Sequence, residues 1–183
     1  MRKTLTAILI ALCTATTPAQ ADETAAQLPD SLMSRAVGNV ESTLDRAFNY
    51  VGVRYKRGGS SPETGFDCSG FVKYLYDETL GLVLPHNAKA IAQQGERVEK
   101  SELQPGDLVF FNTMRRAFSH VGIYVGDNKF IHSPKPGAEV RIEDMRVAYW
   151  HRRFDGARRV SDPSSAGPER ISSLTADTAL QRH

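Results

Sequence analysis

Cysteine is scarce in this chain of 183 residues, which has only Cys13 and Cys68. The first of these falls inside a stretch laid out like a secretory signal. Arg2 and Lys3 form a charged start, Leu5 to Leu12 an apolar run, and Pro18 leads to the small-x-small site Ala19-Gln20-Ala21. Acylation of Cys13 as a lipoprotein calls for a small residue before the cysteine, and Leu12 is large. Cleavage after Ala21 is therefore expected, and removing 21 of 183 residues leaves 162. The exported protein then has one cysteine, Cys68, which excludes an internal disulfide.

Long hydrophobic runs are also missing. The apolar run of the signal is too short to span a bilayer and no later segment is long enough, so no stable membrane insertion is expected after cleavage. Net charge is nearly absent as well, with 23 Lys+Arg against 21 Asp+Glu. Losing Arg2 and Lys3 with the signal brings the basic count level with the 21 acidic residues. A neutral mature chain gives no bulk argument for nucleic-acid or membrane binding. Nor is there a C-x-x-C or H-x-x-x-H pair, so zinc on Cys and His ranks behind metal-free thiol chemistry. No cofactor or metal is called for.

What is present centres on Gly65-Phe66-Asp67-Cys68-Ser69-Gly70-Phe71-Val72. Asp67 or Ser69 can cap a helix that begins here, placing Cys68 at its N-terminus, where free N–H groups and the helix dipole favour a thiolate. The helix predicted from Cys68 buries Phe71, Val72, Leu75 and Leu80 and stops near Gly81. Before it, Val40, Leu44, Ala47, Phe48 and Val51 recur at helical spacing until Gly52. Residues 22–38 read as a polar linker with a helical turn from Ser31. The loop 53–65 is rich in Gly, Ser and Pro and carries Arg54, Lys56 and Arg57 around Tyr55. A second helix is predicted over about 87–94.

After these helices the pattern changes to strands: 108–111, 120–125, 129–132, 139–142 and 156–160, with a helical turn within 145–153. Helices first and an antiparallel sheet of about five strands afterwards define an α+β fold. From Ser161 the composition is that of a disordered tail, residues 161–183. The domain itself is placed at 39–160.

A nucleophilic cysteine needs a base and a group that orients the base. Of five histidines, His183 is terminal, His151 sits beside Arg152 and Arg153, and capping or exposure accounts for His86. His120 and His132 remain, on two strands joined by the turn Gly126-Asp127-Asn128. With cross-strand partners summing to about 254, both rings emerge on one face of the sheet, whereas Ile123, Val125 and Ile131 face the other. A bulge of one residue would undo that register. The expectation is Cys68 as nucleophile, His120 as base and His132 fixing the His120 ring, with helix N–H groups, that of Cys68 included, as an oxyanion hole.

The blocks Asp67-Cys68-Ser69-Gly70-Phe71-Val72, Leu103-Gln104-Pro105-Gly106-Asp107-Leu108, Ser119-His120-Val121-Gly122-Ile123-Tyr124 and Phe130-Ile131-His132-Ser133-Pro134 occur in an informative order. In them, and in Tyr55 with Gly58-Gly59, the chain resembles the NlpC/P60 cell-wall peptidases, a papain-like cysteine peptidase family. The resemblance spans about residues 40–160. It implies a Cys68-His120-His132 triad, Tyr55 lining the site near the thiol, and Asp67 and Ser69 shaping the substrate cleft. It also implies a peptidoglycan substrate, cut in a stem peptide or a crosslink by a monomer that acts outside the cytoplasmic membrane, in the periplasm or secreted. The different reading is an idle wall-binding or scaffolding module of the same fold. One departure stands out: family members often have an aromatic residue before the paired glycines and a proline before the tyrosine, where this chain has Arg57 and Arg54.

Overall fold

The computed structural model describes residues 30–160, with side chains from residue 38. The expected signal, 1–21, and the expected tail, 161–183, lie outside the described residues. Helix α1 (Asp30–Asn49) comes first, followed by a ribbon of β1 (Ser60–Ser61) and β2 (Gly65–Phe66), helix α2 (Cys68–Leu80) and the single turn α3 (Ala88–Ile91). Then come β3 (Glu96–Val98), β4 (Leu108–Phe111), β5 (His120–Gly126), β6 (Lys129–His132), β7 (Arg141–Asp144), the turn α4 (Ala148–His151) and β8 (Phe154–Arg159). The main sheet has six strands in the order β3-β8-β4-β5-β6-β7, all pairs antiparallel. It exceeds the expected five by the edge strand β3. Its three residues, Glu-Arg-Val, carry too little pattern to be read without a partner strand.

Helix α2 is the most strongly specified element. The Asp67 side chain accepts from the Gly70 N–H at 2.7 Å and closes its N-terminus. Gly81 ends it in the left-handed region, where the Gly81 and Leu82 N–H groups reach back to Asp77 and Tyr76 carbonyls. Phe71, Val72, Leu75 and Tyr76 are buried along one stripe, against Val121, Ile123 and Ile131 of the sheet. The expected stripe of α1 is only partly used. Thr43 and Ala47 are buried while Val40 and Phe48 are exposed, because α1 docks mainly onto α2, with Val40 reaching only the turn at Gly106. Thr43 and Thr79 hydroxyls meet at 2.7 Å there, and Arg46 pairs with Glu78.

The β5–β6 hairpin holds the predicted register: Ile123 faces Ile131 and Tyr124 faces Phe130. A bulge does occur, between Tyr124 and Gly126, but on the turn side of both histidines, so their common face survives. Asp127 and Asn128 both have positive φ, the two-residue turn whose twist suits an antiparallel hairpin. The strand expected at 139–142 starts two residues later. Glu139 and Val140 instead bond to the segment 52–54, with Val140 N–H to Val53 O at 2.8 Å and Gly52 N–H to Val140 O at 2.9 Å. That lacing ties the loop carrying Tyr55 to the sheet.

Where α2 crosses the β1–β2 ribbon the backbones nearly touch. A Cβ on Gly70 would enter the Gly59 carbonyl oxygen and lie 2.9 Å from His86 Nε2. Alanine favours a helix over glycine by about 1 kcal/mol, but overpacking against backbone costs about 1–3 kcal/mol, so the clash wins. Gly70→Ala is expected to lower the melting temperature and displace the turn that carries Cys68. Thermal unfolding read alongside thiol reactivity checks it, and an unchanged or raised melting temperature would contradict the close-contact reading.

Candidate active site

A cleft of about 620 Å³ opens over the start of α2 and the start of β5. Tyr55, Asp67, Cys68 and His120 all line it, with Ser119, Arg141, Glu143 and Trp150 among the other walls. His132 lies one layer deeper, fully buried. Its Nδ1 is 2.6 Å from His120 Nε2, and the rings meet edge to face at 4.9 Å. His120 Nδ1 is thus the ring nitrogen left for chemistry in the cleft. Ser69 does not line the cleft. It is buried, and its hydroxyl donates to Asp67 Oδ1 at 3.0 Å.

Asp67 is a hub rather than a free carboxylate. Oδ1 takes Gly70 N–H, Ser69 Oγ and His86 Nε2, the last at 3.0 Å, and Oδ2 takes the Gly58 N–H at 2.9 Å. Burial works to raise its pKa, but the bonds from Gly70, His86 and Ser69 outweigh it and hold the carboxyl below its ordinary value. His86, which sequence reasoning set aside as capping or exposed, therefore belongs to the support of this turn. Only Asn87 caps α3, accepting from the Ala90 N–H. Position 86 is 19 residues from Asp67, and no local spacing links the two.

Trp150 was the other residue missed. It is buried, stacks on His120 with an interplanar angle of 24°, and meets His132 edge-on at 5.1 Å. Phe111 and Phe130 complete an apolar layer behind the two histidines. Along the chain only a helical turn within 145–153 is legible there, because the contact of Trp150 with His120 runs from α4 to β5.

This apolar setting decides the resting protonation. Burial pushes the Cys68 thiol up to about 11, Asp67 adding its charge, although the N–H groups of Val121, Ser69 and Cys68 pull the other way. Burial likewise depresses His120 to about 4 and holds His132 well below its ordinary value, helped by His120 and Arg141. The helix N-terminus favours a thiolate, as expected from sequence, but desolvation outweighs it, leaving thiol and imidazole both neutral near pH 7.

Stability should follow. The unfolded chain binds protons on these histidines below about pH 6.5 where the folded one does not, so stability falls as pH drops from 6.5 through the His120 value of about 4. At the alkaline end, the folded thiol keeps its proton, so stability is lost as pH rises from 9.0 toward about 11. A shift of the His120 size corresponds to about 3 kcal/mol. Denaturant unfolding across pH 4–10 should give a plateau between these limits. His120→Asn should flatten the acid side, and an equally steep acid limb in that variant would remove His120 as its source.

The fold is an α+β domain in which the Cys68 thiol, at a helix start, shares a cleft with His120, itself backed by His132 on the antiparallel sheet. The family profile described as the NlpC/P60 family matches residues 52–159, and the chain belongs to that family. It is 40% identical over 141 residues, 75% of its length, to Murein DD-endopeptidase MepH of Escherichia coli strain K12. It is 41% identical over 117 residues to Murein DD-endopeptidase MepS/Murein LD-carboxypeptidase of the same strain. It is 40% identical over 117 residues to the Gamma-DL-glutamyl hydrolase of Bacillus subtilis strain 168. The chain spans 52%, 61% and 28% of these three relatives respectively. Among solved structures, an NlpC/P60 family protein from Bacillus cereus superposes with a TM-score of 0.61 at 33% identity, covering 66% of this chain and 39% of that one. The NlpC/p60 domain of the peptidoglycan hydrolase SagA gives 0.59 at 29% identity, covering 66% of this chain and 98% of that one.

Proposed function

We propose that this protein is an exported cysteine endopeptidase that hydrolyses amide bonds in peptidoglycan peptides, with Cys68 as nucleophile, His120 as general base and His132 orienting His120. The observation that carries the reading is the 2.6 Å contact from His120 Nε2 to His132 Nδ1, at the floor of the cleft that holds Cys68. Because thiol and imidazole rest neutral, the reaction starts with proton transfer. Cys68 gives its proton to His120 Nδ1 as sulfur attacks the scissile carbonyl carbon. The N–H groups at the start of α2, that of Cys68 among them, receive the oxyanion. The imidazolium then returns the proton to the leaving amine, and water, activated by the same ring, releases the acyl group from sulfur.

The role of His120 fixes the tautomers. For Nδ1 to accept a proton, Nε2 must carry one and donate it to His132 Nδ1. His132 then carries its own proton on Nε2, a buried nitrogen with no hydrogen-bond partner among the described residues. Leaving such a group unpaired costs about 1–3 kcal/mol, a local destabilisation that the catalytic assignment requires. Nitrogen-15 spectra of the histidines should find both rings as the Nε2–H tautomer near pH 7, and His120 protonated on Nδ1 alone would contradict its role as base.

Tyr55 lines the same cleft and its hydroxyl lies in the electrostatic reach of Cys68, which supports a substrate-contacting role. The polar network of Asp67 and Ser69 supports a role in holding the cleft's shape. For the bond cut, the reading follows the two Escherichia coli relatives named as DD-endopeptidases, hence the crosslink between stems, and the site of action is the cell wall outside the cytoplasmic membrane. Digestion of purified sacculi, with fragment masses read, tests this. Loss of dimeric muropeptides supports the crosslink cut, fragments ending at D-glutamate point to the stem, and unchanged muropeptides with a folded protein sink both.

A further inference from the structure

We propose that Arg57 and Lys135 form a carboxylate-binding rim on the cleft that holds Cys68, so that its preferred substrate is a peptide with free, unamidated carboxylates. This rests on the peptidase reading above and adds the charge that its substrate must carry. Arg57, Asp67, Lys135, Arg141 and Glu143 are the charged side chains that line the cleft. Asp67 is already filled by four donors. Arg141 is bound to Glu143, with Nε and Nη2 each 2.7 Å from Oε1. The side chains of Arg57 and Lys135 are exposed and make no hydrogen bond or ion pair among the described residues, the Lys135 carbonyl alone accepting the Ala138 N–H. The unmatched charge of the cleft is thus two cations, held on different elements: Arg57 on the loop before β1, Lys135 on the loop between β6 and β7.

Arg57 is placed by its neighbours. The segment that bonds to Phe66 and Ala138 turns Tyr55 and Arg57 to the cleft, whereas Arg54 and Lys56 do not line it. The Arg57 charge reaches the Tyr55 hydroxyl, opposing the upward pull of its burial and of Cys68. A guanidinium so placed presents a planar fork of donors matched to a carboxylate, with stronger bonds than neutral groups give. An aromatic residue at this position offers no such charge, so the departure from the usual pattern becomes a specificity device.

The test uses two crosslinked stem-peptide dimers, identical except that the side carboxylates of one are amidated. The wild type should cleave the free acid with kcat/KM about tenfold higher, the size of one charge-assisted hydrogen bond, and the difference should sit in KM. Arg57→Gln should erase the preference by slowing only the acid, with an unchanged melting temperature, and Lys135→Gln should weaken it. Arg54→Gln, a neighbouring cation off the cleft, should keep it. Equal rates on the two peptides overturn the proposal, as does an Arg57→Gln that slows both alike. Titrating both peptides onto Cys68→Ala separates the two readings. Tighter binding of the acid with no wild-type cleavage keeps the carboxylate rim and overturns the peptidase. Cleavage of both at one rate, with equal binding, does the reverse.

Discussion

Cys68→Ala is expected to abolish hydrolysis of sacculi, a loss of roughly 10⁴-fold or more for removal of a covalent nucleophile. The side chain is small and lies at the first position of α2, where the helix is held by Asp67 and not by sulfur. The variant should therefore fold, which makes the loss informative. Activity, melting temperature and peptide binding read together give the decision: retained cleavage would remove thiol catalysis. The resting protonation adds a second signature. With Cys68 pushed up to about 11 by burial, alkylation should be slow near pH 7 and rise well above the ordinary thiol range. A bound peptide that brings His120 and sulfur together should change that rate. Rapid alkylation below about 8.5 would instead mean a resting thiolate stabilised by the helix N-terminus.

The second large effect is at His132, which never reaches the cleft. His132→Ala removes the acceptor for His120 Nε2–H in a buried, apolar layer. The ring then loses the bond that selects its tautomer, and roughly 10²–10⁴-fold of kcat should go with it. His132→Asn offers a carbonyl oxygen in its place and should recover part of the loss. Because a purely structural role would follow stability, the two variants should be compared by kcat at matched folded fraction and by the nitrogen-15 signature of His120. Equal loss in both, with the His120 tautomer unchanged, would reassign His132 to packing.

Much of this site was legible along the chain because its parts are locally coded. Asp67-Cys68-Ser69-Gly70 specifies its own helix start through one side chain and one N–H three residues on. The hairpin register could be counted from the turn, and Ile123 opposite Ile131 bears it out. The bulge that threatened it fell beyond Tyr124 and left the histidines alone. Less legible were features whose cause lies across the fold. His86 meets Asp67 and Trp150 meets His120 only once distant segments come together, and Ser69 carries a polar side chain that folding turns inward to Asp67. The exposure of Val40 and Phe48 had the same origin, since a helical stripe shows which residues can be buried, not how much neighbour arrives to bury them.

The sequence by itself determined the helix that begins at Cys68, the strands that carry His120 and His132, and the α+β order of elements. Each follows from short-range rules of capping, alternation and turn chemistry. The tertiary structure alone decided the meeting of His120 with His132, the roof of Trp150 over them, the saturation of Asp67, and the protonation of the thiol. These depend on which atoms are removed from water and what replaces it, a quantity that exists only once distant segments have packed.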